Sequence, residues 1–113
     1  MKKNSFYTLR KNGFIYVARD EYGNLKIGAA HNVQKRIHGL RLGHPSLKLV
    51  ASIQAVMFMD LERYIHLELE EHQIAREWFY CKDEKVILSK LETFLKKHGE
   101  IFGAEKIKYS NVN

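Results

Sequence analysis

Residues 14–29 of the chain read FIYVARDEYGNLKIGA, and this stretch carries the strongest indication of the fold. Residues 14–19 are rich in aromatic and β-branched side chains, which favour a strand. The DEYGN segment at 20–24 has the polar residues and the glycine of a turn, and a second short apolar run follows at 25–29. We therefore predict a β-hairpin here.

Beyond the hairpin, the pattern of apolar residues alternates between helical and strand periods. Asn32 is a good N-cap for a helix at about 33–42, in which apolar residues recur at helical spacing. Residues 47–56 predict a third strand paired against the hairpin. Apolar side chains spaced by four predict a second helix at 60–72, and Asp83 can cap a third.

Together these elements predict an α/β domain of the α+β kind. We expect a small three-stranded, mainly antiparallel sheet flanked by about three helices, in the order β-β-α-β-α. At 113 residues, the chain has the usual size of one domain. We assign this domain to residues 1–103 and treat 104–113 as a peripheral C-terminal tail, because the tail shows no sustained period.

The charge balance bears on the partners of the protein. Nineteen Lys and Arg residues against thirteen Asp and Glu residues give a net charge of +6, which favours a polyanion such as nucleic acid. No apolar run approaches the roughly 20 residues of a membrane span, and none has the form of a signal peptide. The single Cys81 has no CxxC partner, which indicates a reducing compartment. We expect a cytoplasmic protein that binds no membrane.

Two motifs in the first half resemble those of the GIY-YIG nuclease family. The sequence GFIY at 13–16 stands where that family has its GIY strand, and KIG at 26–28 stands at the YIG position. Arg36 follows Gly28 by eight residues, which is the spacing of the family's helix arginine. The resemblance covers about residues 13–80.

Two further motifs agree with this resemblance. The sequence LERYIH at 61–66 is similar to the helix that gives the family its metal-binding glutamate. The sequence EWF at 77–79 is similar to a closing motif in the phage and bacterial branch that has KIG as its second motif. Lys26 departs from the general pattern, which has tyrosine there, but a lysine is familiar in this branch.

The resemblance implies a metal-dependent endonuclease that hydrolyses DNA phosphodiester bonds. Its implied cofactor is Mg²⁺ or Mn²⁺, bound by Glu62, because such hard cations prefer oxygen ligands and complete their coordination with water and phosphate. The implied catalytic residues are Tyr16, Lys26, Arg36, Glu62 and His66, and the residues expected to contact DNA are Lys35, His38 and Arg41.

The chemistry of these side chains suits phosphodiester cleavage. Tyr16 would help to activate the attacking water, and a nearby cation such as Lys26 would favour its phenolate. Arg36 presents a planar fork of donors that can stabilise charge on the phosphate. His66 lies one helical turn beyond Glu62 and could support the metal ligand or carry a proton.

Other assignments remain open for this sequence. Glu77 could place a second carboxylate at the site, whereas Trp78 and Phe79 are expected to be core anchors. The chain could instead be a non-catalytic DNA-binding module on the same fold, or a protein-interaction domain that uses the Glu-rich helix at 60–72. The sequence contains no GxxxxGK[ST] loop, so we expect no nucleotide cofactor. Cutting of both strands would require a homodimer or two successive nicks.

Overall fold

The computed structural model describes residues 13–110, which form one mixed sheet-and-helix domain. The strands are β1 (Gly13–Arg19), β2 (Leu25–Ala30), β3 (Lys48–Ala55), β4 (Gln73–Ala75), β5 (Trp78–Phe79) and β6 (Lys108–Tyr109). The α-helices are α1 (Val33–Leu40), α2 (Phe58–Glu68) and α3 (Glu84–His98), and 3₁₀ helices occur at Glu70–His72 and Gly99–Phe102. Within the described residues, the predicted α+β class and three helices are thus confirmed. Residues 1–12 and 111–113, at the ends of the predicted domain and tail, lie outside that description.

The predicted hairpin is formed by β1 and β2, which the turn at residues 20–24 joins. The backbone N–H of Asp20 donates to the carbonyl oxygen of Asn24 at 3.0 Å. The Asp20 carboxylate also accepts from the backbone N–H groups of Tyr22 and Asn24, each at 2.9 Å. Gly23 has a φ of +86°, a left-handed conformation that favours glycine. The turn chemistry predicted from the sequence is therefore the chemistry that closes the hairpin.

The sheet is larger than the three strands predicted. Its order is β4-β5-β2-β1-β3-β6, and every neighbouring pair is antiparallel. The third predicted strand does pair with the hairpin, since β3 lies beside β1. The prediction of three strands is wrong, because the sheet has six. The strands that the sequence did not reveal are β4, β5 and β6, which have three, two and two residues. Strands of that length are too short to produce a recognisable alternation of apolar and polar side chains.

Helices cover both faces of the sheet and divide the buried side chains into two clusters. On one face, α2 and α3 pack on β-strand residues such as Ile27 and Ile53. On the opposite face, Val33 and Ile37 of α1 pack against Tyr16. Because both faces are covered, the central strand β1 is apolar almost throughout.

The first helix begins at the cap predicted for it. The side chain of Asn32 accepts from the backbone N–H of Lys35 at 3.0 Å, which satisfies one of the free donors at the helix start. The helix ends at Leu40, two residues before the predicted end. The capping residue therefore predicted the start of this helix correctly, whereas the apolar pattern placed its end two residues too late.

The second helix differs more from its predicted range of 60–72. It runs from Phe58 to Glu68, and the chain then forms a 3₁₀ turn in which the N–H of His72 donates to the carbonyl oxygen of Leu69 at 2.8 Å. Because a 3₁₀ turn keeps side chains near helical spacing, the sequence pattern continues through both helix types.

The third helix is capped as predicted. The carboxylate of Asp83 accepts from the backbone N–H of Lys85 at 3.0 Å. At the other end, a 3₁₀ helix continues from Gly99 to Phe102. No helix within the described part of the chain is long and apolar enough to span a bilayer.

The segment expected to be a peripheral tail is in part hydrogen-bonded to the sheet. Along residues 104–110, the N–H of Glu105 donates to the carbonyl oxygen of Gln54, and the N–H of Ser110 donates to that of Val50, both at 2.8 Å. Strand β6 pairs with β3 between these two bonds. An outer strand edge carries free backbone donors and acceptors, and this segment occupies them.

Candidate functional site around Gly28

Tyr16 and Gly28 are directly paired across strands β1 and β2. The Tyr16 side chain lies on the α1 face of the sheet and is 1% exposed. A Cβ atom added to Gly28 would be 2.5 Å from the Tyr16 hydroxyl oxygen and 2.7 Å from Cζ. The tyrosine hydroxyl thus lies over bare backbone, which explains why the motif requires a glycine here.

Arg36 reaches this hydroxyl from helix α1. The two side chains are hydrogen-bonded, so the guanidinium donates to the phenol oxygen. Burial raises the pKa of Tyr16, the hydrogen bond from Arg36 opposes that effect, and the negative charge of Glu77 adds to it. The net result is a pKa above the ordinary value for tyrosine, so Tyr16 is a protonated phenol at neutral pH.

Lys26 does not have the relation to Tyr16 that the sequence suggested. Its Nζ lies 3.0 Å from Oε1 of Glu77 and 5.4 Å from the centre of the Trp78 ring. The cation beside the phenol is Arg36, and burial outweighs its influence. The expectation that Lys26 favours a phenolate is therefore corrected: the lysine binds a carboxylate, and the phenol keeps its proton.

Glu77 lies at the centre of the site, where the sequence suggested a second carboxylate without indicating Glu77 as a catalytic residue. Its Oε1 would be 2.9 Å from a Cβ at Gly28, beside the Tyr16 hydroxyl. Its carbonyl oxygen accepts from the N–H of Ile27 at 2.9 Å, which holds the residue at the edge of β2. The EWF motif was the signal that could have identified it, since Glu77 precedes the two aromatic residues of strand β5.

Glu62 and His66 approach the same edge from helix α2. The Nε2 of His66 lies 2.8 Å from the carbonyl oxygen of Ile27 and so carries a proton and donates to it. The distance from His66 Nε2 to Oε2 of Glu62 is 3.9 Å, longer than a hydrogen bond. Burial raises the pKa of Glu62, the charge of Glu77 raises it further, and His66 and Lys26 oppose the shift.

The edge of strand β2 explains how residues from both faces of the sheet meet. Strand β5 pairs only with Leu25 and Lys26 among the residues of β2. At Ile27, the backbone N–H donates to the carbonyl oxygen of Glu77, and the carbonyl oxygen accepts from the His66 ring of α2. At this edge, Glu62 lies near enough to Glu77 and Lys26 for their charges to affect its pKa.

The three residues expected to contact DNA have different surroundings. Lys35 lines an open depression of about 410 Å³, whose other lining residues are Ala30, His31, Asn32, Arg36 and Gly39. His38 is exposed in the last turn of α1. Arg41 donates from Nε to the carbonyl oxygen of Leu47 at 2.8 Å, which ties down the loop after the helix. Lys35 therefore lies next to the site, whereas Arg41 has a structural bond of its own.

Glu62 is the residue of the site that would hold a hard cation. No group of three or more His, Cys, Asp or Glu side chains within residues 13–110 is arranged as a metal cage. Glu62, however, is partly buried and offers one carboxylate at the edge of the site. A Mg²⁺ or Mn²⁺ ion with one carboxylate ligand, completed by water and phosphate, suits this donor set.

Residues 13–102 match the family model of the T5orf172 domain, and the chain belongs to this family. The match spans β1 through the 3₁₀ helix after α3, so it includes every residue of the site described above. Membership of the family is compatible with a DNA-related function. Comparison with curated proteins and with solved structures gave no match.

Proposed function

We propose that this protein is a metal-dependent endonuclease that hydrolyses DNA phosphodiester bonds with a site of the GIY-YIG type. The observation that carries the proposal is the convergence of Tyr16, Arg36, Glu62 and the Lys26–Glu77 ion pair around Gly28. A phenol, a guanidinium and carboxylates provide a proton donor, a phosphate-binding group and a place for a divalent cation.

Each side chain has a role that its geometry supports. Arg36 donates one hydrogen bond to Tyr16 and has further N–H groups that can donate to the non-bridging oxygens of a phosphate. The phenol oxygen of Tyr16 accepts from Arg36, so its own O–H remains free to donate a hydrogen bond that orients the attacking water or the phosphate. Glu62 would bind the Mg²⁺ or Mn²⁺ ion, which when bound neutralises charge on the phosphate. His66 fixes α2 to strand β2 through its bond to Ile27 and is a positioning residue.

The distribution of charge supports a polyanionic substrate. Residues 22–59 contain no Asp or Glu, and this run includes β2, α1 and β3. Its basic residues are Lys26, Lys35, Arg36, Arg41 and Lys48, with His31, His38 and His44 among them. The acidic residues are thus concentrated in the hairpin turn and in the second half of the chain. A DNA backbone that approaches Arg36 would therefore meet the basic residues of this run.

The direct test is cleavage of labelled single-stranded, duplex and branched DNA in the presence of Mg²⁺ or Mn²⁺. We expect Tyr16→Phe, Arg36→Ala and Glu62→Ala each to lower the cleavage rate by about 100-fold or more, because each removes a group that acts on the reacting phosphate. Matched controls are Arg63→Ala and Glu68→Gln, exposed residues of helix α2 outside the site, which should cleave at wild-type rates.

The alternatives make different predictions in the same experiment. Folded wild-type protein that binds DNA with strong salt dependence but cuts none of the substrates would indicate a non-catalytic DNA-binding module. Weak, salt-insensitive DNA binding without cleavage would favour a protein-interaction domain. Nicked rather than linear products from a supercoiled duplex would show that one strand is cut at a time.

A further inference from the structure

We propose that Glu77 is the catalytic residue that takes the proton from the attacking water, and that Lys26 is the positioning residue that holds it. This inference rests on the proposed nuclease function. It gives Lys26, the departure from the general GIY-YIG pattern, a role toward Glu77 rather than toward Tyr16.

The first support is the position of the Glu77 carboxylate. Its Oε1 and the Tyr16 hydroxyl oxygen both lie within 3.0 Å of a single point above Gly28, at 2.9 and 2.5 Å. The two oxygens therefore face the same bare stretch of strand β2. Arg36, the phosphate-binding group, is hydrogen-bonded to that same hydroxyl. A water molecule near Glu77 would consequently lie next to a phosphate held by Arg36.

The second support is the backbone that carries Glu77. Arg76 has a φ of +44° and is the single non-glycine residue within 13–110 with a positive φ. The side-chain amide of Gln73 donates to the Arg76 carbonyl oxygen, and the N–H of Ile27 donates to that of Glu77. These two hydrogen bonds stabilise the strained backbone at Arg76, and they place Glu77 beside strand β2 at the site.

The third support is the arrangement of Lys26. Its side chain is 12% exposed, and its ammonium lies between the Glu77 carboxylate and the face of the Trp78 ring. Lys26 and Trp78 are paired across β2 and β5, so the sheet itself fixes this stack. The lysine binds Oε1 of Glu77 at 3.0 Å and so fixes the carboxylate beside the Tyr16 hydroxyl, where its remaining lone pairs can accept a proton from water.

The other groups of the site are committed elsewhere. Tyr16 is buried, accepts from Arg36 and keeps its proton, so it is unsuited to act as a base. The Nε2–H of His66 donates to Ile27. Glu62 is assigned to the cation. Of the groups around Gly28, Glu77 is the one left to receive a proton.

In the proposed step, the Glu77 carboxylate takes a proton from water, and the water oxygen forms a new bond to phosphorus with the electron pair released. The bond from phosphorus to the leaving oxygen breaks, and that oxygen departs with the bonding electrons. It then takes a proton from a second water molecule, and the proton on Glu77 neutralises the hydroxide so formed. The net reaction is hydrolysis, and Glu77 is regenerated.

The test compares Glu77→Ala, Glu77→Gln and Glu62→Ala in single-turnover cleavage. We expect both Glu77 variants to lose about 100-fold or more in rate, the range for a general base, while Mn²⁺ affinity and DNA affinity stay within about threefold of wild type. Added formate should restore part of the rate to Glu77→Ala, because it can occupy the vacated space and accept the proton. Glu62→Ala should lose Mn²⁺ binding and gain nothing from formate.

Lys26 is tested by its effect on turnover and by its conservative replacement. Lys26→Met should lower kcat by about tenfold with little change in KM, because it releases a catalytic group without removing a phosphate contact. Lys26→Arg keeps a cation beside Glu77 and should recover most of that loss. If Lys26 were only structural, its replacement would lower the unfolding midpoint, but kcat would not differ between the arginine and methionine variants.

The outcomes separate this inference from the function on which it rests. If the wild type cleaves DNA and Glu77→Gln cleaves within threefold of it, the inference is overturned and the nuclease remains. The same holds if both Glu77 variants lose Mn²⁺ binding, or if formate restores no activity to folded Glu77→Ala. A wild type that cleaves no DNA would overturn the proposed function and this inference together.

Discussion

At the scale of single residues, Gly28 is the position on which the candidate site depends most. Any larger side chain would displace the Tyr16 hydroxyl and the Glu77 carboxylate, which lie 2.5 and 2.9 Å from the place of its Cβ. Both groups are held by other bonds, Tyr16 by Arg36 and Glu77 by Lys26, so neither can move without cost. Gly28 is also buried between β1 and the turn before β5, which leaves the backbone little freedom to shift.

Gly28→Ala should therefore lower the free energy of unfolding by about 1–3 kcal/mol, the usual cost of overpacking. It should also lower cleavage more than its effect on stability explains, since it moves Tyr16. Urea denaturation and single-turnover cleavage measure the two effects. The matched control is Gly39→Ala in helix α1, where an added Cβ meets no atom within 4 Å. That change should stabilise the protein by about 0.5–1 kcal/mol. Equal effects of the two substitutions would contradict this account of Gly28.

At the scale of elements, the turn between β1 and β2 is closed by Asp20, and its contribution to stability should depend on pH. Burial raises the pKa of Asp20, but hydrogen bonds from Asn24 and Tyr22 outweigh it, and the net pKa is lowered. A carboxyl whose pKa is lower in the folded state stabilises the fold above the pKa it has when unfolded. That stabilisation is lost as the pH falls through the lower, folded value.

Asp20→Asn should accordingly destabilise the hairpin at pH 7 and have a smaller effect in acid. The difference between the free energies of unfolding of wild type and variant should be constant above about pH 5 and shrink below about pH 4. Urea unfolding at a series of pH values measures this difference, and other carboxyl groups cancel in the comparison. A difference that is the same at pH 7 and at pH 2 would show that the charge of Asp20 has no part in closing the turn.

At the scale of the whole molecule, helix α1 and the strands next to it come from an acid-free part of the sequence, whereas helices α2 and α3 carry five acidic residues. The α1 side includes Lys35 and Arg36, and the carboxylate beside Tyr16 on this side is that of Glu77. Helices α2 and α3, on the opposite face, contain Glu62, Glu68, Glu84 and Glu92 among their residues. Under the proposed function, this distribution of charge favours the approach of DNA from the α1 side.

DNA affinity should fall steeply with salt, and Lys35→Ala should reduce the slope of log K against log salt by about 1, the value for loss of one phosphate contact. Lys96→Ala, in helix α3 on the opposite face, is the matched control and should leave the slope unchanged. Fluorescence anisotropy with a labelled oligonucleotide at several salt concentrations measures both. Equal changes in slope for the two variants would contradict a DNA-binding surface on the α1 side.

The sequence by itself determined the elements whose signals are local. The hairpin, the Asn32 and Asp83 caps and the third strand follow from residues close to one another along the chain. The relation of Tyr16, Gly28 and Arg36 follows in the same way, since one hairpin and the helix after it bring them together.

Only the tertiary structure decided what joins distant segments. Strands β4, β5 and β6 are too short for a periodic signal and exist because neighbouring edges pair with them. Lys26 and Glu77 are 51 positions apart, and their ion pair depends on where β5 ends. The bond from His66 to Ile27 likewise depends on how α2 packs across the sheet. Local patterns encode the conformation of the backbone, whereas packing decides which side chains meet, and it was packing that placed Glu77 at the centre of the site.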